Sequence, residues 1–186
     1  MENKIVKMSV FSHKTGRKAL SLLLSIAMIF SVMMTMIPAM EVKAADDYKS
    51  LKNTTTVVKF DGKDWYLIDF DDSTVTLLSK DCVAASQYSS SGSYVEYGNS
   101  TVKTAVETYY NTLSENAKTA VSGGMFLLTT EKANAITNAD VRKCSQYSGA
   151  NYNAWWLSSR GDLDSLAACV DGDDGHVHDN GRNVNN

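Results

Sequence analysis

The chain has 186 residues, of which 18 are Lys or Arg, 21 are Asp or Glu and three are Cys. Residues 1–44 contain 6 of the basic and 2 of the acidic groups, so the remainder has 12 against 19, a net charge of −7. Such an acidic surface repels phosphate backbones and argues against nucleic acid as a partner.

The cysteines offer little support for a disulfide scaffold, a zinc site or a redox site. Cys82, Cys144 and Cys169 are too few for a scaffold, and an odd number cannot all pair internally. They also show no C-x-x-C spacing. We therefore predict no metal and no cofactor, and the sequence leaves the disulfide pairing open.

The first 44 residues predict an export signal. Basic residues surround an uncharged stretch over 19–40, and the small residues Val42 and Ala44 fit a signal peptidase, which would cut before Ala45. The alternative is an uncleaved anchor, since an uncharged run near 20 residues can span a bilayer. We expect a secreted or cell-surface protein that meets the membrane only through this segment, with residues 1–44 packing against nothing.

A β-meander is predicted after a linker over 45–53. Three β-rich runs, at about 56–60, 64–70 and 74–80, are separated by short polar turns. The first turn contains Asp61-Gly62, and glycine at a positive φ favours a tight hairpin.

Two helices are predicted next. Apolar residues at three- and four-residue spacing from Val102 to Leu113 indicate a helix capped by Asn99 or Ser100. Ser114 caps a second, shorter helix, which ends before Gly123.

The rest of the chain mixes short strands with short helices. "MFLLTT" predicts a buried strand and "EKANAI" one or two helical turns, while Thr137 and Asp140 have capping-box spacing. Three final strands are expected in "AWWLSS", "SLAACVD" and "HVHDNG". The order of elements predicts a single α+β domain over 54–186, with an N-terminal antiparallel meander, two or three short helices and C-terminal short strands.

The segments "FDGKDWYLID", "FLLTTEKA", "WWLSSRG" and "VDGDDGHV" together resemble a domain of unknown function from secreted and surface proteins of Gram-positive gut anaerobes. Its hallmark is a Trp-Trp-Leu-Arg-Ser-Pro-Gly motif. The resemblance covers nearly everything from about residue 54 onward. It implies a divergent C-type-lectin-like fold, which also includes formylglycine-generating enzymes.

The chain departs from this family pattern in two places. Ser158-Ser159-Arg160 replaces Arg-Ser-Pro, and the closing Gly-Val-Arg-Pro-Ala-Leu strand is absent. The resemblance therefore implies a C-terminally truncated copy without its last strand. Because a lost strand leaves an unpaired sheet edge, we expect the segment from His176 onward to be poorly ordered.

Trp155 and Trp156 are the first candidates for ligand binding. Adjacent residues of a strand point to opposite faces, so one ring can enter the core while the other faces a different layer or solvent. The packing interpretation buries both rings and places Trp65 in the main core. The functional interpretation keeps one ring at the rim as a sugar-stacking platform, with Arg160 as a hydrogen-bond donor or a solvated turn residue.

The densest polar cluster is "DGDDGHVHDNG", residues 171–181. Its candidate ligand-binding side chains are Asp171, Asp173, Asp174, His176 and His178. Carboxylates are hard ligands, and the two histidines would share one face of a strand. The spacing nevertheless fails the EF-hand template, because Gly175 stands where the third oxygen ligand belongs. A Gly-Asp hairpin turn is the favoured interpretation.

Three functions remain open. The first is a non-catalytic extracellular or cell-surface module that binds a carbohydrate or a peptide, with a cell-surface glycan or protein as its partner. This function predicts an exposed aromatic or polar groove. The second is a truncated or purely structural domain, which predicts buried tryptophans and no pocket. The third is a secreted enzyme that uses Cys169 and a His in a concave pocket. The sequence favours them in that order.

Overall fold

The structure, a computed structural model, describes residues 2–3, 6–11, 47–72, 74–148 and 150–185. Its strands are β1 (Glu2–Asn3), β2 (Val6–Phe11), β3 (Val57–Phe60), β4 (Lys63–Phe70), β5 (Thr74–Ser79), β6 (Ala84–Ala85), β7 (Val121–Ser122), β8 (Ala154–Arg160), β9 (Leu166–Asp171) and β10 (Val177–Asn183). Its helices are α1 (Thr101–Asn111), α2 (Glu115–Ala120), α3 (Thr130–Asn134) and α4 (Ala139–Arg142), with 3-10 turns at Asp47–Leu51 and Tyr97–Asn99. The predicted α+β class is confirmed.

Two antiparallel three-stranded sheets form the framework. The first is the predicted meander β3-β4-β5, and the second is β8-β9-β10. The β3–β4 turn has φ values of 49° at Asp61 and 72° at Gly62, as a tight hairpin with two positive φ angles requires. The predicted hairpin is therefore confirmed.

The amino-terminal strands extend both sheets to five strands. β2 pairs antiparallel with β5 and β7, while β1 pairs parallel with β8 and antiparallel with β6. The expectation that residues 1–44 pack against nothing is wrong for these strands. Their sequence "VKMSV" alternates apolar and polar residues, a pattern suited to a strand, and a position between β5 and β7 accepts it.

The remainder of the predicted export signal, including the stretch over 19–40 and the expected cut after Ala44, lies outside the described residues. Within the part of the chain that is described, no helix has the length and apolar character needed to cross a membrane.

Neighbouring residues of the central strands enter two different cores. The main core contains Trp65, Leu67, Leu77, Trp156 and Cys169, covered by Val102 and Val106 of α1. The second core contains Tyr66, Ile68, Leu78, Trp155 and Val170. It is covered by Ala133 of α3, by Ile136 in the loop after α3 and by Val141 of α4. Because helices cover both sides, the strands are apolar on both faces and do not alternate.

The first two helices begin where their caps predict. Ser100 Oγ accepts a hydrogen bond from the Lys103 N–H (3.2 Å) and starts α1. Ser114 Oγ accepts one from the Ala117 N–H (3.2 Å) and starts α2. Ser114 also donates its hydroxyl to Asp61 (2.7 Å), which ties α2 to the β3–β4 turn.

Two local predictions are wrong. The predicted strand over 125–130 does not form: Phe126 makes a single β-bridge, and the Leu128 carbonyl accepts hydrogen bonds from the Ser158 N–H (2.7 Å) and hydroxyl (3.2 Å) of β8. The cap of α4 is Asn138 rather than Thr137, since the Asn138 side chain accepts the Asp140 N–H (3.0 Å).

The carboxyl-terminal segment is a paired strand. β10 lies antiparallel to β9, and the following Val184 is fully buried. The Val184 N–H donates to Ser165 O (3.0 Å), and its carbonyl accepts the Ser89 N–H (3.2 Å). The expectation of poor order from His176 onward is therefore wrong, because β9 supplies the pairing partner. The truncation itself stays a prediction.

Candidate functional site

Both tryptophans of the "WW" pair are completely buried. Trp155 Nε1 donates to the Arg142 carbonyl (2.9 Å), and Trp156 Nε1 donates to the Ser86 carbonyl (3.0 Å). Tyr88 contacts Trp156 edge-on, with ring centroids 5.5 Å apart. The packing interpretation is confirmed, with Trp65 also fully buried. Neither ring of the pair is available as a sugar-stacking platform, because helices cover both faces of β8.

Arg160 lies at the exposed end of β8. Its guanidinium forms an ion pair with Asp164, in which the two side chains are 52% and 85% exposed. An ion pair this exposed contributes little stability. Arg160 lies apart from the groove described below and is a solvated residue at the end of the strand.

The acidic cluster is the turn of the β9–β10 hairpin, as the sequence favours. Asp171 Oδ1 accepts the Asp173 N–H (2.9 Å), and Asp174 Oδ1 accepts the His176 N–H (2.7 Å). Gly175 has a φ of 75°. These carboxylates therefore satisfy backbone donors of the turn, as short polar side chains commonly do.

The two histidines are neighbours in this hairpin. The rings of His176 and His178 meet edge to face, with centroids 4.8 Å apart. Burial lowers the pKa of His178, and the positive charges of Arg182 and of a protonated His176 lower it further. In the residues that the structure describes, no group of three or more His, Cys, Asp or Glu side chains is arranged to hold a metal ion.

Arg142 is a residue that sequence reasoning missed. Its Nε donates to the Gly175 carbonyl (2.6 Å), and its Nη1 donates to the Ile136 carbonyl, so the side chain joins α4 to the hairpin. Burial lowers the pKa of this guanidinium. Nothing in the local sequence indicates the contact, because Gly175 is 33 residues away along the chain.

Cys169 lies in the main core and has none of the features of a nucleophile. Its side chain is fully buried. Burial raises the pKa of the thiol to about 11, an effect that nearby Arg182 only partly offsets. His178 lies opposite Cys169 in the β9–β10 register, but a neutral thiol inside a closed core is not activated for attack. None of the three cysteines forms a disulfide.

We expect Cys169 to resist alkylation in the folded protein. A rise in the thiol pKa from 9.0 to about 11 reduces the thiolate fraction by about 100-fold at pH 8, and burial slows the reaction further. Iodoacetamide labelling, followed by peptide mass spectrometry with and without urea, measures the ratio. Labelling of native Cys169 as fast as in urea would contradict this assignment.

A polar groove of about 730 Å³ lies beside the β9–β10 hairpin. It is lined by Tyr66, Lys80, Asp81, Asp140, Lys143, Cys144, Ser145, Gln146, Asn151, Tyr152, Asn153, Gly172 and Asp173. Four parts of the chain meet here: β4, the end of β5, α4 with the following loop, and the hairpin turn. Among the eight candidate residues from the sequence, all of them described, only Asp173 lines the groove.

Asn153 is held in a fixed orientation at the groove wall. Its Nδ2 donates to the Cys144 carbonyl (3.2 Å) and to Asp173 Oδ1 (2.6 Å). A Cβ atom at Gly172 would lie only 2.3 Å from Asn153 Oδ1, so glycine allows this close approach. Both Nδ2 hydrogens are engaged in this way, and Oδ1, which accepts the Cys144 thiol (3.8 Å), is the amide atom with capacity for a further hydrogen bond from a ligand.

The charges near the groove are neutralised locally. Lys143 Nζ lies 2.6 Å from Asp140 Oδ1, and Lys80 Nζ lies 3.4 Å from Asp64 Oδ2. Hydrogen bonding to these carboxylates raises the pKa of both lysines. The two lysines and three aspartates of the lining therefore give the groove a small net charge of −1.

Tyr152 provides an aromatic ring at the groove. It is 47% exposed, and Arg182 Cζ lies 6.0 Å from its ring centroid. Tyr147 belongs to the same loop and is 38% exposed, but it does not line the groove. The signal for this site in the sequence is the aromatic and amide-rich run "QYSGANYN", immediately before the tryptophans.

Comparisons of this chain with protein-family models, with curated proteins and with solved structures find no match. The family resemblance of the sequence and the C-type-lectin-like fold therefore stay predictions.

Proposed function

We propose that this protein is a non-catalytic extracellular or cell-surface binding module whose groove takes a neutral carbohydrate. The observation that carries the proposal is the exposed ring of Tyr152 beside the oriented amide of Asn153 and the carboxylate of Asp173. A tyrosine ring offers an apolar face with a polar edge, and a few placed polar groups fix a ligand's orientation.

The electrostatics of the groove favour an uncharged ligand. The lining has two lysines against three aspartates, a net charge of −1, which disfavours an anion and attracts a cation only weakly. The Asn153 Oδ1 atom and the Asp173 carboxylate can accept hydrogen bonds from the hydroxyl groups of a sugar, which are good donors. The groove also lacks a continuous apolar strip of the kind that an amphipathic peptide helix requires.

Export is part of the same proposal. The chain reaches the cell exterior through its amino-terminal signal, which is removed after Ala44, and it meets the membrane only before that cleavage. The resemblance to a secreted Gram-positive domain with a C-type-lectin-like fold supports this location. The net charge of −7 after cleavage disfavours nucleic acid as a partner.

The test compares two tyrosines of one loop. Tyr152→Ala is expected to weaken binding of a neutral oligosaccharide about tenfold, the equivalent of about 1.4 kcal/mol, because the stacking face is lost. Tyr147→Ala is the matched control and should bind like the wild type. Affinities are measured by calorimetry on saccharides selected from a glycan array. Equal losses in both variants, or no saccharide bound at all, would contradict the proposal.

The alternative is a purely structural or truncated domain without a ligand, and the complete burial of Trp155 and Trp156 favours it. This alternative expects no saccharide on the array and no effect of Tyr152→Ala beyond a small change in stability. The array result therefore separates the two functions.

A further inference from the structure

The amino-terminal strands occupy internal positions in both sheets. Val10 of β2 pairs with Val75 of β5 on one side and with Val121 of β7 on the other. Glu2 of β1 pairs with Ala85 of β6 and with Trp155 of β8. In the described part of the chain, β6 and β7 have no other strand neighbours.

Removal of the export signal would empty these positions. Cleavage after Ala44 takes away β1 and β2, so β5 and β8 each lose one strand neighbour, and β6 and β7 lose theirs. The residues Thr76 to Ser79 of β5, which are at most 5% exposed, would then border an open edge. An unpaired edge has free backbone donors and acceptors and readily pairs with another strand.

We propose that the space between β5 and β7, continuing between β8 and β6, is a strand-acceptor site for an extended segment of a partner protein. The partner strand would lie where β1 and β2 lie here, antiparallel to β5 and β7 at the position of β2. This proposal depends on the export and cleavage proposed above and is independent of carbohydrate binding in the groove.

The segment that fills the site defines the chemistry of its occupant. It comprises about ten residues, β1 and β2 with two residues between them, and reaches about 33 Å when extended. Met8 and Val10 alternate with Ser9 after a register shift between Val6 and Met8, and the segment contains no proline. A partner strand with alternating apolar residues and no proline meets the same requirements, since backbone pairing supplies affinity and alternate side chains supply specificity.

Charge complementarity adds a further requirement. The sequence of residues 2–11 contains Lys4, Lys7 and the acidic Glu2, a net charge of +1, whereas the chain after residue 44 has a net charge of −7. A strand with basic residues is therefore attracted to the emptied domain, and an acidic strand is repelled.

The first experiment uses the full chain in mild detergent. Val10→Pro removes a backbone donor from β2 and should lower the melting temperature by about 5 °C or more. Val10→Thr keeps the N–H and is the matched control. A peptide with the sequence of residues 1–12 should restore the melting temperature of Val10→Pro but leave the wild type unchanged. The same peptide with Met8 and Val10 replaced by proline should have no effect.

The second experiment uses the chain that a host cell exports, with its amino terminus determined by intact mass. If Ala45 is the first residue, the fluorescent 1–12 peptide should bind and the proline peptide should not. Retention of Met1 would overturn the proposal, because the site never opens, and would leave carbohydrate binding intact. Equal melting temperatures of the Val10 variants, or failure of the peptide to bind, would also overturn it. A dimer of the exported chain that excludes the peptide would overturn it in favour of a second copy as occupant.

Discussion

Replacing Trp156 with alanine is expected to lower the free energy of unfolding by about 3–5 kcal/mol. The ring is fully buried in the main core, contacts Tyr88 and donates to the Ser86 carbonyl. Its removal leaves a cavity and an acceptor without its donor, and both changes destabilise a close-packed interior. Since small domains have only about 5–15 kcal/mol of stability, the variant is expected to be partly unfolded at 37 °C.

Urea unfolding followed by circular dichroism measures this loss. Leu163→Ala is the control, because that large apolar side chain is 61% exposed and its truncation should change stability by no more than about 0.5 kcal/mol. Trp155→Ala should resemble Trp156→Ala, since the ring of Trp155 is equally buried in the second core. A Trp156→Ala protein as stable as Leu163→Ala would show that the two-core arrangement is incorrect.

Gly175→Ala is expected to destabilise the domain by about 2–4 kcal/mol, by two mechanisms. Gly175 has a φ of 75°, a conformation that costs an alanine about 1 kcal/mol or more. A Cβ atom would also lie 2.3 Å from the Ala139 carbonyl oxygen, so the hairpin would have to move away from α4. That movement would disturb the hydrogen bond from Arg142 to the Gly175 carbonyl.

Gly62→Ala separates the two mechanisms. Gly62 has a φ of 72°, but nothing lies within 4 Å of the position of its Cβ. Its substitution should therefore cost only the conformational part, about 1 kcal/mol. Both variants are compared by thermal unfolding. Equal losses of stability would mean that α4 does not pack closely against the hairpin.

The local elements were largely predictable because their signals are short-range. The Asp61-Gly62 turn and the Ser100 and Ser114 caps depend on the conformations and hydrogen bonds of a few neighbouring residues. The strand prediction at "MFLLTT" was wrong because it also used only the short-range signal. Apolar residues there indicate burial, but strand formation requires a partner backbone along the whole segment, whereas the pairing here is a bridge at Phe126 and a hydrogen bond at the Leu128 carbonyl.

The candidate site was less predictable than the fold. Tyr66, Asp140, Asn153 and Asp173 meet in one groove although they come from β4, α4, a loop and a hairpin turn. No spacing rule connects such distant positions. The tryptophans were candidates for a sugar site because an aromatic ring can stack on a sugar, but tryptophan is also highly buried on average in protein cores.

The sequence by itself determined the class of domain, the Asp61-Gly62 turn and the caps of the first two helices. Each depends on interactions within a few residues of the chain. The tertiary structure alone decided that Trp155 and Trp156 enter two different cores, that the groove forms beside Asn153, and that residues 2–3 and 6–11 extend the two sheets. These outcomes depend on which surfaces are covered by elements far away in the sequence, and the physical cause is long-range burial and backbone pairing.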